Sequence, residues 1–167
     1  MTHPSIRIRH AADLDRCVDA LREVHEADAY PLNWPADPRG WLSPPGLLGA
    51  WIAEGPGGVV AGHIAVQRPP GVSDGPGAAR HAELSRLYVT PAARRRSVAG
   101  ALVGRVRSWA AERGYGLTLN VVTDEHRWAA VAFYEATGWR HSHTTDADWT
   151  APDGRPVKLR HYINVVG

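Results

Sequence analysis

The residues best suited to chemistry in this chain surround the start of a predicted helix near residue 97. An apolar, strand-like stretch ends at Pro91, and charged and small residues follow it: Arg94, Arg95, Arg96, Ser97, Val98, Ala99 and Gly100. Backbone N–H groups at a helix N-terminus have no intrahelical partners, and the helix dipole adds partial positive charge there. Small side chains let phosphate oxygens approach these amides, and arginines add fixed positive charge. The segment therefore predicts a phosphate cradle.

The same segment resembles the acyl-coenzyme A site of the Gcn5-related N-acetyltransferase (GNAT) family. In that family a strand that ends in hydrophobic-x-Pro leads to Arg/Gln-x-x-Gly-x-Gly/Ala and then to a helix. Arg94 and Ala99 match the ends of this pattern, and Ser97 stands where the first Gly is usual. Serine is a favoured cap residue, and it fits there with the negative φ of a first helical turn. The resemblance implies that the pyrophosphate of acyl-CoA binds to Arg94, Arg95, Arg96, Ser97, Val98 and Ala99.

A second stretch, residues 127–139, resembles another pattern of the same family, Asn-x-x-Ala-x-x-x-Tyr-x-x-x-Gly-Phe. The matching residues are Ala130, Tyr134 and Gly138, with Arg127 in place of Asn and Trp139 in place of Phe. The resemblance implies that Arg127 contacts the cofactor and that Tyr134 is the general acid that protonates the coenzyme A sulfur. The alternative interpretation of Tyr134 is a core aromatic residue with a satisfied hydroxyl.

Acylation of an amine by a thioester requires a group that removes a proton from the amine. Glu83 is the candidate base, because it lies six residues before Val89, where related enzymes with a strand carboxylate often carry it. Period-two alternation predicts a shared strand face for Glu83, Ser85, Leu87 and Val89. The alternative for Glu83 is an ion pair with an arginine at the end of a strand. His63 is a reserve base, and its alternative is a hydrogen-bonded strand histidine.

The resemblance also implies how the rest of the co-substrate binds. In this family two neighbouring strands splay apart, and the pantetheine arm hydrogen-bonds to one of them like an extra strand. The backbone of Leu87, Tyr88 and Val89 would make these bonds, and the acyl oxygen would lie near one of the three amides. The expected co-substrate is acetyl-CoA or another acyl-CoA. The expected acceptor is a small amine, an amino acid, an antibiotic or a protein N-terminus, in a pocket that His25, Trp34 and Trp41 would line.

Hydrophobic periodicity and turn residues predict the elements that position these groups. Strands are expected at Ser5–Arg9, Leu47–Ala53, Val59–Gln67, Ala82–Val89, Leu117–Val122, Trp139–Trp149 and Leu159–Val165. Helices are expected at Leu14–Ala27 with Asp13 as cap, at Ser97–Arg113 with Gly114 as C-cap, and at His126–Thr137. Residues 30–45 read as a short helix or ordered loop, and residues 68–80 as a flexible connection. The order indicates an α/β or α+β fold, and the resemblance implies a mixed sheet of about seven strands flanked by about four helices.

Composition narrows the class of protein. The 167 residues, 44% hydrophobic and 22% charged, suit one soluble globular domain over residues 1–167. A net charge of +2 argues against a nucleic-acid partner, and no signal peptide or membrane-spanning run is predicted. Cys17 is the only cysteine, which favours a cytoplasmic location. The spacing of five further polar residues is not diagnostic of a metal site: His141, His143, Asp146, Asp148 and His161.

The sequence thus predicts an acyl-CoA-dependent N-acyltransferase in which the amine attacks the thioester directly. Cys17 lies in the first helix, away from the motif, which argues against a covalent thiol intermediate. A non-catalytic acyl-CoA-binding sensor is the alternative, and it would bind acyl-CoA without releasing thiol. A homodimer is left open.

Overall fold

The computed structural model of this protein describes residues 4–69, 80–123 and 127–164. The strands are β1 (Ser5–Ile8), β2 (Leu47–Glu54), β3 (Val60–Gln67), β4 (His81–Val89), β5 (Gly116–Val122), β6 (Trp139–Thr150) and β7 (Pro156–Asn164). The helices are α1 (Leu14–Asp28), α2 (Pro38–Trp41), α3 (Val98–Arg113) and α4 (Trp128–Ala136). The predicted fold class and element order are confirmed. Most of the predicted connection at 68–80, together with His126 and Val165, lies outside the described residues.

All seven strands form one mixed sheet in the order β1-β2-β3-β4-β5-β7-β6. Neighbouring strands are antiparallel except for β4 and β5, which are parallel. The single helical turn of α2 falls within residues 30–45, where a short helix or loop is predicted. Among the described residues, no helix combines the length and the apolar composition needed to cross a bilayer.

The parallel strands β4 and β5 separate soon after they begin. Their pairing is limited to His81 with Gly116, Ala82 with Leu117, and Glu83 with Thr118. Beyond Thr118, β5 pairs with β7, while β4 remains paired with β3 up to Val89. A gap therefore opens in the middle of the sheet, as the splayed strand pair of the sequence interpretation requires.

The helices cover the sheet on two sides and enclose two hydrophobic clusters. The first cluster lies under α3 and α4 and includes Leu102, Val106, Tyr134 and Tyr162. The second lies under α1 and α2 and includes Cys17, Leu21, Leu42 and Tyr88. Asp13 occupies the N-cap position of α1, as predicted, but its carboxylate does not cap this helix. The carboxylate accepts hydrogen bonds from the Arg7 guanidinium and from the His10 N–H instead. The αL conformation of Gly114, with φ of 73°, confirms the predicted end of α3.

A bulge in β4 changes which side chains share a face. Arg86 has φ of 52°, and the register with β3 shifts between His63 and Ala65. The extra residue moves the alternation of β4 by one position. The expectation of one face for Glu83, Ser85, Leu87 and Val89 is therefore wrong. After the bulge, Leu87 and Val89 pack in the first cluster, under α3 and α4, as Ala82 and Leu84 do before it. Glu83 and Ser85 lie on the opposite side of the sheet, which faces α1 and carries Tyr88.

Candidate active site

The segment before α3 presents a row of free backbone donors. The first hydrogen bond of the helix runs from the Ala101 N–H to the Ser97 carbonyl at 3.0 Å. Within the described residues, the six consecutive amides from Arg95 to Gly100 have no backbone hydrogen-bond partner. Residues in the left-handed conformation turn successive N–H groups toward one point, which creates a concave anion site. These amides supply the donors that a pyrophosphate needs.

The conformation of Ser97 differs from the expected one. The prediction of a negative φ inside the helix is wrong, because Ser97 has φ of 58° and ψ of 27° and α3 begins at Val98. Its hydroxyl makes no capping hydrogen bond. Arg95 is also left-handed, with φ of 64°. The turn that aims the amides thus requires a conformation that glycine adopts without strain. Arg95 and Ser97 adopt it at a cost of roughly 1–2 kcal/mol each.

The arginines around this turn have different partners. The guanidinium of Arg94 pairs with Asp28. Arg127 is buried and donates to the carbonyls of Asp28 at 2.9 Å and Ala29 at 2.6 Å. Both side chains therefore hold the end of α1, and a contact of Arg94 or Arg127 with coenzyme A stays a prediction. Arg95 and Arg96 are exposed and form no ion pair within the part of the chain that is described.

The free edge of β4 faces the gap with alternate residues. The Thr90 N–H donates to the Ala61 carbonyl of β3 at 2.9 Å. In an antiparallel ladder every second residue points toward the same partner, so the backbone of Tyr88 also faces β3. The N–H and C=O groups of Leu87 and Val89 then face the gap. Of the three residues predicted to bind pantetheine, these two have the required orientation.

Glu83 lies where the gap begins. Its Oε1 accepts a hydrogen bond from Gln67 Nε2 at 3.2 Å, and Gln67 Oε1 accepts one from the Ser85 hydroxyl at 3.2 Å. Burial raises the pKa of Glu83, although the positive charge of Arg86 and the Gln67 hydrogen bond oppose the rise. Glu83 forms no ion pair among the described residues, so the alternative of a glutamate paired with an arginine does not apply. A half-buried carboxylate with a raised pKa has the properties of a general base.

Tyr134 lies on α4 and is 7% exposed. Its ring packs against Trp139 and Tyr162, with centroids 5.9 and 6.3 Å away. The hydroxyl makes no hydrogen bond to any described residue, so it is not the satisfied core hydroxyl of the alternative interpretation. Burial raises the pKa of Tyr134, which keeps the phenol protonated at neutral pH. A protonated hydroxyl without a partner is available to donate a proton.

His63 is unsuited to the role of base. It is completely buried, its Nδ1 lies 2.9 Å from the Arg86 carbonyl, and its Nε2 lies 2.9 Å from Arg9 Nη1. Nδ1 therefore donates and Nε2 accepts. Burial lowers the pKa of His63 to about 3, so the ring is neutral. This is the hydrogen-bonded strand histidine of the alternative interpretation. Burial also raises the pKa of the Cys17 thiol to about 11, which makes Cys17 a poor nucleophile.

Aromatic residues surround the α1 side of the gap. Trp41 meets Tyr30 edge to face at 6.1 Å, and Tyr30 lies 6.4 Å from Tyr88. Of the other predicted lining residues, Trp34 packs on His25 at 5.2 Å. Sequence reasoning missed Tyr30 and Arg86. The signal for Arg86 was a single charge inside the apolar run LSRLYV.

The histidines of the last strands contact one another and a threonine hydroxyl. His143 and His161 stack with centroids 4.3 Å apart, and His161 Nε2 lies 2.7 Å from the Thr145 hydroxyl. Within the described residues, no three His, Cys, Asp or Glu side chains are placed to hold a metal ion together.

A mixed sheet that opens beside an amide-lined helix start defines a protein that binds an extended, phosphate-bearing ligand. The model of the acetyltransferase (GNAT) family matches residues 14–139, and the chain belongs to that family. Family membership confirms the predicted fold and the predicted acyl-CoA co-substrate. No curated protein matches this sequence.

Solved structures share the fold over almost the whole chain. Ribosomal-protein-alanine N-acetyltransferase from Brucella melitensis is 21% identical, with a TM-score of 0.75 over 97% of this chain and 99% of that chain. An N-acetyltransferase from Staphylococcus aureus Mu50 is 17% identical, with a TM-score of 0.76 over 97% and 98%. Arabidopsis thaliana NAA60 in complex with acetyl-CoA is 16% identical, with a TM-score of 0.71 over 97% and 99%.

Proposed function

We propose that this protein is an N-acetyltransferase that transfers the acetyl group of acetyl-CoA to a primary amine by direct attack. The observation that carries the proposal is the gap between β4 and β5, which opens beyond Glu83 and leads to the free amides at the start of α3. One extended ligand can thus bind with its phosphates at the amides and its thioester near Glu83.

Each part of this gap suits one part of acyl-CoA. The amides from Arg95 to Gly100 hold the pyrophosphate, with exposed Arg95 and Arg96 adding positive charge. The backbone of Leu87 and Val89 pairs with the pantetheine arm, as an added strand would. Bound acyl-CoA supplies an activated acyl group as a thioester. An N–H of β4 that faces the gap polarises the acyl carbonyl.

Proton transfer in this proposal falls to two side chains. Glu83 accepts the proton that the attacking amine loses, directly or through one water. Tyr134 donates its phenolic proton to the departing coenzyme A sulfur. The amine nitrogen forms the new bond to the acyl carbon, and the carbon–sulfur bond breaks with its electron pair on sulfur. Cys17 takes no part, because its thiol is buried and protonated.

The similar structures support an amine acceptor. Two of them are ribosomal-protein-alanine N-acetyltransferases, whose acceptor is an alanine of a ribosomal protein. A cytoplasmic location remains a prediction, and a homodimer is left open. A non-catalytic sensor would use the amides at the start of α3 to bind acyl-CoA. It would have no use for the free Tyr134 hydroxyl or for a Glu83 carboxylate whose pKa is raised by burial.

A thiol-release assay tests the proposal. Purified protein is incubated with acetyl-CoA and a panel of primary amines, free thiol is measured, and acetylated amine is verified by mass spectrometry. We expect amine-dependent thiol release, which Glu83→Gln slows by about a hundredfold or more and Glu112→Gln leaves intact. Glu112 is an exposed residue of α3 that pairs with Arg113, so it is a matched control. Acetyl-CoA binding without thiol release for any amine would instead identify a sensor.

A further inference from the structure

Arg86 is a charged residue of the site to which the proposed mechanism gives no role. It occupies the bulge of β4 with φ of 52°, and its carbonyl accepts a hydrogen bond from His63 Nδ1 at 2.9 Å. His63 is completely buried, and Arg9 donates to its other ring nitrogen. The backbone of Arg86 is therefore fixed from the core, and so is the direction in which its side chain leaves the strand.

The guanidinium of Arg86 is only partly satisfied. Its Cζ lies 4.3 Å from the centroid of the Trp41 ring, and its Nε donates to the Trp41 carbonyl at 3.0 Å. Within the described residues, Nη1 and Nη2 have no hydrogen-bond partner and no ion pair. A stacked guanidinium with unpaired terminal N–H groups is preorganised for a bidentate bond to an oxyanion.

Glu83 and Arg86 carry opposite charges on the same side of the sheet, but they are not hydrogen-bonded to each other. They form no ion pair, yet the field of each reaches the other: Arg86 opposes the rise in the pKa of Glu83, and Glu83 opposes the fall in the pKa of Arg86. Burial is the main cause of both shifts. Two separated opposite charges beside an aromatic wall are complementary to a ligand that carries an ammonium and a carboxylate.

We propose that the acceptor is a small amine that also carries a carboxylate, an α-amino acid or a close analogue, and that Arg86 binds this carboxylate while Glu83 receives the amine. This proposal rests on the proposed N-acetyltransferase function. Arg86 then determines specificity, because an acceptor that lacks the carboxylate leaves the desolvated guanidinium without a partner.

The remaining charges of this region disfavour a polycationic acceptor. Asp28 is paired with Arg94, and Asp37 Oδ1 accepts a hydrogen bond from the Gly40 N–H at the start of α2. Neither Asp28 nor Asp37 is therefore an unpaired carboxylate that could add to the negative charge of Glu83. The positive charge of Arg86 further offsets that of Glu83. A peptide N-terminus likewise offers no free carboxylate next to its amine.

The chain contains a matched control for Arg86. Arg113 lies with its Cζ 5.1 Å from the centroid of the Trp109 ring, and its Nη1 donates to the Trp109 carbonyl at 3.3 Å. This repeats the stacking and the carbonyl contact of Arg86 at the exposed end of α3. Arg113→Gln therefore reproduces the chemical change without touching the gap.

The experiment compares the standard L-amino acids with their primary amides as acceptors. For the amino acid that is acetylated fastest, we expect the wild type and Arg113→Gln to use the free acid in preference to its amide. Arg86→Gln should raise KM for that acid about tenfold to a hundredfold, with little change in KM for the amide, and Arg86→Lys should restore part of the preference. Equal use of acid and amide by the wild type, or an equal loss of both in Arg86→Gln, would overturn the proposal.

A binding measurement separates this proposal from the proposed function. The same acids and amides are titrated calorimetrically into protein that holds coenzyme A. If no amine releases thiol but the acid binds and Arg86→Gln loses it, the acetyltransferase function fails and the carboxylate site stands. If amides are acetylated and the acids neither bind nor react, the transferase stands and the assignment of Arg86 fails.

Discussion

Replacement of Ser97 by glycine is expected to stabilise the protein, because Ser97 is held in the left-handed region. Its φ of 58° and ψ of 27° cost a residue with a Cβ roughly 1–2 kcal/mol. Glycine avoids this cost but loses about 0.5–1 kcal/mol through the greater entropy of its unfolded chain. The difference predicts that Ser97→Gly raises the free energy of unfolding by about 0.5–1 kcal/mol.

Ser97→Ala is the matched variant for this test. The Ser97 hydroxyl makes no capping hydrogen bond, and alanine keeps the Cβ, so the free energy of unfolding should change by less than about 0.5 kcal/mol. Urea unfolding of both variants and the wild type, followed by circular dichroism, measures the difference. Thermal unfolding should show a midpoint about 1–4 °C higher for Ser97→Gly than for the wild type.

The opposite pattern would refute this reasoning. If Ser97 were a helix cap with negative φ, alanine would lose the capping bond and destabilise the protein by about 1 kcal/mol. Glycine would then give no gain. A Ser97→Ala variant that is as stable as the wild type, together with a Ser97→Gly variant that is more stable, is therefore compatible only with the left-handed turn.

Three further substitutions test the catalytic groups and the fold. Glu83→Gln should lower kcat/KM by about a hundredfold or more and remove the acidic limb of the pH–rate profile. Because burial raises the pKa of Glu83, the wild type should lose activity on acidification at a higher pH than an ordinary glutamate would give. Tyr134→Phe should lower kcat by about tenfold with little change in KM for acetyl-CoA, because the leaving thiolate is tolerable without a proton. Asp13→Asn should lower the free energy of unfolding by about 2–3 kcal/mol at pH 7, because it breaks the ion pair of the buried Asp13 carboxylate with the partly exposed Arg7. The hydrogen bond from Arg7 holds the pKa of Asp13 below its usual range, so this difference should shrink in urea unfolding as the pH falls below about 4.

The sequence was sufficient for the elements and their order, because local signals specify them. Gly114 after a helical pattern and the alternation of β4 before Arg86 are such signals. The sequence also marks the segment before α3 as an anion site, since free amides at a helix start are a property of any helix. The positions of several side chains around the gap, by contrast, were not predicted from the sequence.

The bulge at Arg86 and the position of the Arg127 guanidinium could not be predicted, because both depend on tertiary contacts. The bulge is held by His63, which lies on another strand and is fixed in turn by Arg9 of the region after β1. Arg127 matched a family position, yet its guanidinium binds carbonyls at the end of α1, far away in sequence. Such partners become neighbours only once the chain has folded.

Binding of acetyl-CoA to variants of two glycines tests the central claim most directly. Gly100 and Gly104 are exposed on α3, one turn apart, and a Cβ at either would meet no atom within 4 Å. Glutamate in the first turn suits the helix dipole, so Gly100→Glu should not unfold α3. The added carboxylate would repel a pyrophosphate bound at the free amides of this turn. We expect roughly 1–2 kcal/mol, which lies between the values in bulk water and at a protein surface for two like charges a few ångström apart.

Isothermal titration with acetyl-CoA at low salt should give a Kd about tenfold weaker for Gly100→Glu than for the wild type. Gly104→Glu should bind as the wild type does. Equal affinities for all three proteins would contradict a cradle at the start of α3. No binding to the wild type at millimolar acetyl-CoA would contradict the account as a whole.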